Sequence, residues 1–437
     1  MDLDPSRVDF GDLFAEGVRH VVAPAQAKGI VCMLDYRGPL LWVDAQAQAL
    51  RAVLEPLCRA GIDVLQTGFA YFAADIECPA FGDCQLSVDV ACTGVAAPAD
   101  AIDAVLADLQ LRESDEPTGG SRAASGVCAA LHGALSFVGV RNEGSLFSLQ
   151  LALPGAVAHD GGAADADGAR AWLISDNPVT CRSLERGLQR FGWATRAFLG
   201  IDAASARLDQ APDPSAGPAL VVAYEGASVT ASSLSQLRGR MAASTQVVLA
   251  ATWGSASLDT APQPDIEVRA WPFSPRELLL FTRRLDAQSP AATGETRPAA
   301  LTFASRPRAL AVDDNGLNRL VATGLLQLLG YEVEVACDGA EAVDCCMRRP
   351  PDVVLMDVQM PRMDGIEATR RLRWLQAQGA LPPFAIVAAT AGGTHLCERD
   401  CLDAGMDSYL LKPLTVDALA AALHRASRRC VTSSGAT

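Results

Sequence analysis

No stretch of the 437 residues approaches eighteen continuous apolar positions, so no membrane-spanning helix is expected. Positive charge is scarce: 36 Lys and Arg stand against 51 Asp and Glu, a net charge of −15. Nucleic-acid binding relies on clustered basic side chains that displace counterions from phosphates, so a nucleic-acid partner is not expected, nor is an anionic membrane surface. The opening MDLDPSRVDF lacks a basic region followed by an apolar core, so no secretory signal is expected and the cytoplasm is the predicted location. Aromatic residues make up only 5% of the chain although 50% is hydrophobic, which leaves cores built largely from small side chains. The thirteen cysteines are scattered through apolar segments, and Cys345-Cys346 and Cys397/Cys401 have no histidine at ligand spacing. Reduced, buried thiols are therefore expected rather than a zinc site.

The chain is too long for one hydrophobic core. Two segments have linker composition, PGAVAHDGGAADADGAR at 154–170 and DAQSPAATGETRPAALTFASRPR at 286–308, both rich in Ala, Gly, Pro and Ser. The expected division is a first block at 1–153, a linker at 154–168 and a middle block at 169–285. A second linker at 286–306, a third block at 307–430 and a tail at 431–437 follow.

In the third block, PDVVLMDVQMPRMDG at 351–365 carries an apolar run that ends on Asp357, with an Asp-Gly pair shortly after. RALAV, YEVEVA, DVVLM, FAIVAAT and SYLLK read as strands, each bounded by Gly, Pro or Asp, and the segments between them repeat near 3.6. Five strands alternating with helices predict an α/β fold, a doubly wound five-stranded parallel sheet, because parallel neighbours need helical crossovers. Such sheets bind ligands beyond the carboxyl ends of their strands. Asp313, Asp314, Asp357, Thr390 and Lys412 all fall at those ends. Any one of them alone is better explained as a cap or a turn residue; their conjunction at one edge is not. Three crowded carboxylates repel unless protons or a cation relieve them, and hard oxygen donors of this kind suit Mg²⁺. An ionised Asp357 beside such an ion is a candidate nucleophile toward phosphorus, with Lys412 pairing with the incoming oxygens.

VDDN at 312–315, MDVQMPRMDG at 356–365, AAT ending at Thr390 and YLLKP at 409–413 together resemble the response-regulator receiver domain, a flavodoxin-like fold. The resemblance implies that Asp357 accepts a phosphoryl group from a phosphohistidine. It implies that Asp313, Asp314 and Asp357 hold Mg²⁺, helped by the backbone carbonyl of Gln359. Lys412 and Thr390 would assist the transfer, and Thr390 with Tyr409 would form the switch.

The middle block resembles a degenerate copy: AWLISDNPVTCRSLERGLQRFGWATRAF parallels ALAVDDNGLNRLVATGLLQLLGYEVEVA. Ser175 stands where Asp313 does, Asp176 where Asp314 does, and Tyr224 (or Ala223, if the register slips) at the acceptor position. Thr252 is expected to match Thr390, and Trp271-Pro272 replaces Lys412-Pro413. A tyrosine cannot form an acyl phosphate and a tryptophan cannot neutralise one. A packing or dimerisation module is expected, with Tyr224 and Trp271 filling the empty site as the sharper alternative.

The first block mixes helical and strand patterns and is expected to form an open α/β sandwich with helices over one face. Its order, and above all the ending LHGALSFVGVRNEGSLFSLQLALP, is similar to the ATP-binding domain of histidine kinases. Where that family has its Mg²⁺-binding asparagine the chain has Ala60, with Asp63 at the usual lysine. Cys92 and Ala96 replace the aspartate and second glycine of the adenine-contacting motif, and the lid is reduced to TGGSRAASG at 118–126. No nucleotide cofactor is expected. None of His20, His132, His159, His395 and His424 has the flanking pattern of a kinase phosphohistidine, and the chain is expected to begin beyond that helix hairpin. The reading is a two-component phosphorelay protein with Mg²⁺ as its cofactor, not a self-sufficient kinase, whose receiver would catalyse its own phosphoryl transfer and dephosphorylation. Its expected donor is a histidine kinase or histidine phosphotransfer protein, with a homodimer left open. The alternatives are a divergent hybrid histidine kinase that retains ATP binding, and a scaffold that is never phosphorylated.

Overall fold

The structure is a computed structural model and describes residues 7–79, 83–113, 121–124, 133–140, 144–159, 164–210, 217–259, 265–288, 307–390 and 395–433. The first block opens with α1 (Phe10–Ala27), whose N-cap Asp9 accepts a hydrogen bond from the Asp12 amide. It continues through β1 (Ile30–Arg37), β2 (Leu40–Trp42), α2 (Ala47–Asp63), β3 (Leu65–Glu77), β4 (Cys84–Ala96) and α3 (Ala99–Asp108). β5 (Arg112–Glu113), β6 (Ser121–Ala124), β7 (Gly133–Val140) and β8 (Gly144–Leu153) complete a seven-stranded sheet in the order β1-β3-β4-β8-β7-β6-β5. Its β1–β3 pair is parallel and the remaining pairs are antiparallel. The first expected linker is partly structured, since β9 (Val157–His159) pairs with β2 and Ala166 is buried. The second expected linker lies from 289 to 306 outside the described residues, as do most of the lid segment 118–126 and the tail from 434.

Successive residues of β3 point to opposite faces. Ala70, Phe72, Ala74 and Ile76 join the core under α1 and α2, whereas Phe69 and Tyr71 join a different core on the other face. LQTGFAYFAADIE is therefore apolar at both parities because the sheet is covered on both sides. A helix layer on one face only had been expected. The register Glu77↔Gln85 makes Cys78 and Cys84 the next facing pair, and the two form a disulfide. This corrects the expectation that the thiols are all reduced: hairpin register, not sequence spacing, brings the two together.

The middle block contains β10 (Arg170–Ser175), α4 (Pro178–Gln189), β11 (Ala194–Leu199), α5 (Gly200–Asp209), β12 (Leu220–Tyr224), α6 (Ala231–Arg238), β13 (Gln246–Thr252), α7 (Ala256–Asp259), β14 (Glu267–Trp271) and α8 (Pro275–Gln288). The third contains β15 (Arg308–Val312), α9 (Gly316–Leu328), β16 (Glu332–Ala336), α10 (Gly339–Arg348), β17 (Val353–Asp357), α11 (Gly365–Ala377), β18 (Ala385–Thr390), α12 (His395–Asp403), β19 (Ser408–Leu411) and α13 (Val416–Ser433). Each builds a five-stranded parallel sheet, β11-β10-β12-β13-β14 and β16-β15-β17-β18-β19, with the first strand inside the second, as the alternation predicts. Their central strands are apolar on both faces because helices cover both.

The first block packs against both of the other two. Met33, Phe69, Tyr71 and Ala91 share one core with Leu317, Val321 and Leu325 of α9. Gly324 permits this approach, since a Cβ there would stand 3.0 Å from the Tyr71 ring. On its other flank, Arg19 of α1 donates to the Pro272 carbonyl at 2.8 Å and pairs with Glu277, while Arg276 reaches Asp12 at 2.9 Å. Among the described residues no helix is long and apolar enough to cross a membrane.

Candidate functional site

The carboxyl edge of the third block's sheet gathers the acidic residues. Asp313 follows β15 and Asp357 ends β17, each 5% exposed, while Asp314 is exposed. One carboxylate oxygen from each lies within 4.8 Å of the others. Lys412, just past β19, places Nζ 2.7 Å from Asp313 Oδ2 and 3.1 Å from Asp357 Oδ2. Its backbone amide donates to the Thr390 carbonyl at 2.8 Å, tying the lysine to the end of β18. Thr390 is buried and Tyr409, on β19, is half-buried against the core beneath α10 and α11. The Gln359 backbone bonds the Asp357 carboxylate.

Electrostatics follow from this burial. Removal from water pushes the Asp357 carboxyl up to about 6, and the neighbouring Asp313 charge adds to the rise, against the opposing pull of Lys412 and the Gln359 backbone bond. Burial alone would lower the lysine's pKa, but Asp313 and then Asp357 outweigh it and raise Lys412 above its usual range. The amine therefore stays charged. The donor set is three hard carboxylates whose mutual repulsion one lysine only partly relieves. Octahedral Mg²⁺ places adjacent oxygens about 3 Å apart and opposite ones about 4 Å apart, so modest side-chain adjustment fits these three residues to the ion.

The sequence reading missed the groups that hold the acids in place. Asn318, 5% exposed on α9, donates to Asp313 Oδ1 at 3.1 Å, and the Asn315 amide donates to the same oxygen at 2.9 Å. Arg319 clasps the Asp313 carbonyl at 2.7 Å. Asn318 was discoverable as a polar residue in the first turn of a helix, on its buried face. The Asp-Gly pair after Asp357 plays a separate part. Asp364 caps α11 through the Glu367 amide at 2.7 Å. Gly365 lets that helix start against β17, because a Cβ there would stand 2.0 Å from the Asp357 carbonyl oxygen.

The middle block's edge is arranged otherwise. Pairing Ile174↔Ala223 and Tyr224↔Ala250 matches Val312↔Met356 and Asp357↔Ala389, which places Tyr224 at the acceptor position. Thr252 pairs with Trp271, whereas Thr390 pairs with Leu411, the residue before Lys412. With Trp271 matched to Lys412, Ala251 and not Thr252 occupies the place of Thr390, a correction of one residue that only the sheet register supplies. Tyr224 is buried and meets the Trp271 ring edge-on at 5.8 Å between centroids. Asp176 accepts from the Ser228 amide at 2.8 Å and from its hydroxyl, and these bonds hold its carboxyl below the usual range.

In the first block α2 packs directly on β4 where a nucleotide was in question. Cys92 lies in that core with Sγ 3.1 Å from the Gly61 carbonyl, and Ala60 is buried beside it. A Cβ on Gly61 would meet Val90 at 2.4 Å. Asp63 turns outward to Lys28 at 3.4 Å.

The response regulator receiver domain family matches residues 309–424. Over 401 residues the chain is 27% identical to the sensor histidine kinase RcsC of Escherichia coli strain K12, covering 90% of this chain and 39% of that protein. Sensor protein GacS of Pseudomonas syringae pv. syringae is 28% identical over 436 residues, covering 96% of this chain and 47% of that one. The chain thus spans less than half the length of either relative. Among solved structures, full-length ShkA in complex with AMPPNP is 25% identical, with 98% of this chain and 85% of that chain covered and a TM-score of 0.38. The receiver domain of PA1611 from Pseudomonas aeruginosa PAO1 is 38% identical, with 28% of this chain and 96% of that chain covered and a TM-score of 0.25. Residues 309–424 of this chain belong to the response regulator receiver domain family.

Proposed function

We propose that the chain is a phosphorelay component that accepts a phosphoryl group on Asp357 from a phosphohistidine of a kinase or phosphotransfer protein. The observation that carries this reading is the Lys412 amine bridging Asp313 and Asp357 at the sheet edge. With its pKa near 6, Asp357 is mostly ionised at neutral pH. A carboxylate oxygen attacks phosphorus, the P–N bond to the donor imidazole breaks, and the released nitrogen keeps the electron pair. Lys412 passes from its two carboxylates to the arriving phosphoryl oxygens, where its charge offsets theirs. Asp313, Asp314 and Asp357, with the Gln359 carbonyl, are the residues that would hold Mg²⁺, which supplies charge neutralisation for the acids and the phosphoryl oxygens. The new dianion then draws the Thr390 hydroxyl toward it, and Tyr409 follows as the switch.

The first and middle blocks act by contact in this reading. Packing of Cys92 and Ala60 between α2 and β4 supports a first block without nucleotide, and Tyr224 and Trp271 support a middle block without phosphoryl chemistry. Phosphoryl transfer from a phosphorylated histidine phosphotransfer protein tests the proposal. Hydroxylamine-labile label on the wild type and none on Asp357→Asn is expected, and equal labelling of both would overturn it. A hybrid kinase that retains ATP binding is the second reading, favoured by the alignment with sensor kinases across 90% of the chain. A rise in Tm with Mg²⁺ and ATP would support it, since a ligand of the native state must stabilise that state.

A further inference from the structure

We propose that Thr93, on the first block's sheet, is a positioning residue for Lys412, acting through the carbonyl of Leu414. This rests on the reading of Asp357 as the phosphoacceptor. Thr93 is 1% exposed and donates its hydroxyl to the Leu414 carbonyl at 3.3 Å. Leu414 is two residues beyond Lys412 and is buried in the core that the first block shares with α9 and α13. The loop carrying the lysine is thus held from two sides: from inside by the Thr390 carbonyl on the Lys412 amide, from outside by Thr93.

Local structure explains why a residue of the first block can reach so far. Strand alternation sends Cys92 into the helix-side core and Ala91 into the receiver-side core, so Thr93 faces the receiver with Ala91. Gly94 and Gly68 both have left-handed φ, at +138° and +139°, and lie across from each other where a Cβ on Gly94 would stand 2.3 Å from the Thr67 carbonyl. This close crossing, beside a register shift between Leu65 and Thr67, adjoins Thr93 on β4. The segment Cys92–Gly94, which stands where the adenine-contacting motif would be, is thereby a contact to the loop that carries Lys412. Tyr71 adds a second link, with its hydroxyl 2.7 Å from Asp35 and 3.1 Å from the Gln327 side chain of α9. That link touches α9 and not the lysine loop.

The step affected is transfer from acetyl phosphate: Asp357 oxygen bonds to phosphorus, the bond from phosphorus to the acetyl oxygen breaks, and acetate leaves with its electron pair. The test is its rate in the full chain at saturating Mg²⁺. Thr93→Val keeps the side-chain shape and removes the donor. A rate about three- to tenfold lower, the equivalent of one hydrogen bond, is expected, with Thr93→Ser near wild type and the half-saturating Mg²⁺ concentration unchanged. Tyr71→Phe should leave the rate within about twofold, as it spares the loop. Equal rates for wild type and Thr93→Val overturn the inference alone, whereas no adduct on wild type overturns the phosphoacceptor reading with it. A second measurement needs no variant. Because coupling is reciprocal, beryllofluoride with Mg²⁺ should slow hydrogen exchange at 91–95 in the wild type and not in Asp357→Asn. Exchange there that ignores the ligand while 412–414 responds would contradict the link.

Discussion

Gly365→Ala sets two effects of opposite sign against each other. Alanine exceeds glycine in helix propensity by about 0.8–1 kcal/mol, and Gly365 begins α11 without a left-handed φ, so propensity alone predicts a more stable protein. The new Cβ, however, would lie 2.0 Å from the Asp357 carbonyl oxygen and 2.9 Å from Met356 Cγ, where ordinary contact begins at 3.4 Å. The end of β17 or the start of α11 must therefore move by more than an ångström, and neither is a flexible side-chain tip. Overpacking of a tight interior costs about 1–3 kcal/mol, and a clash with backbone that cannot rotate away falls in the upper half of that range, which outweighs the propensity gain. A net loss of roughly 1–2 kcal/mol is expected in urea unfolding. The functional effect is larger, because the residue displaced carries the nucleophile. A misplacement of about 1 Å costs up to about 100-fold in rate, so phosphorylation by acetyl phosphate should fall far more than stability does. An alanine variant as stable as wild type or more so, phosphorylated at the wild-type rate, would refute the steric argument.

Other expectations follow from the same geometry. In chelator, Asp357 titrates near 6 instead of 3.8; a raised carboxyl pKa means that ionisation costs folded-state stability, absent below about pH 4 and complete above about pH 6. Asp357→Asn should therefore stabilise the metal-free protein at pH 7.5 but not at pH 4, by on the order of 1–3 kcal/mol, and equal Tm shifts at both pH values would count against this. Asn318→Ala removes one of the two donors on Asp313 Oδ1 and should raise the half-saturating Mg²⁺ for phosphorylation about tenfold; an unchanged Mg²⁺ dependence would show that Asp313 needs no such support. Arg19→Ala leaves the mostly buried Glu277 with the Ser274 amide at 2.8 Å and the 3.4 Å contact to Arg269, so hydrogen exchange at 271–278 should quicken by the equivalent of about 1–3 kcal/mol, and unaltered exchange would remove this pair from the docking account.

The third block was legible in the sequence because local signals agreed there. Short apolar runs ended on charged or hydroxylated residues, and the parallel topology needed only that alternation to place Asp313, Asp357, Thr390 and Lys412 on one edge. Asn318 escaped notice because its role depends on which face of α9 is buried. Thr252 was misplaced because a one-residue offset in β13 shows only in its pairing with β12 and β14. β3 was overlooked for a different reason: buried on both faces, it has no period-two alternation, and its outer partner α9 lies some 250 residues further along the chain. The Cys78–Cys84 pair and the Thr93 contact likewise depend on register and on packing between blocks, which composition and spacing do not carry.

The central claim is that Asp357 is a phosphoacceptor served by the cluster around it, and intact mass after incubation with acetyl phosphate and Mg²⁺ tests it most directly. The account predicts one added phosphoryl group on the wild type, lost when Mg²⁺ is chelated and absent from Asp357→Asn. A folded wild type that gains no mass, or an adduct that persists in Asp357→Asn, would contradict it.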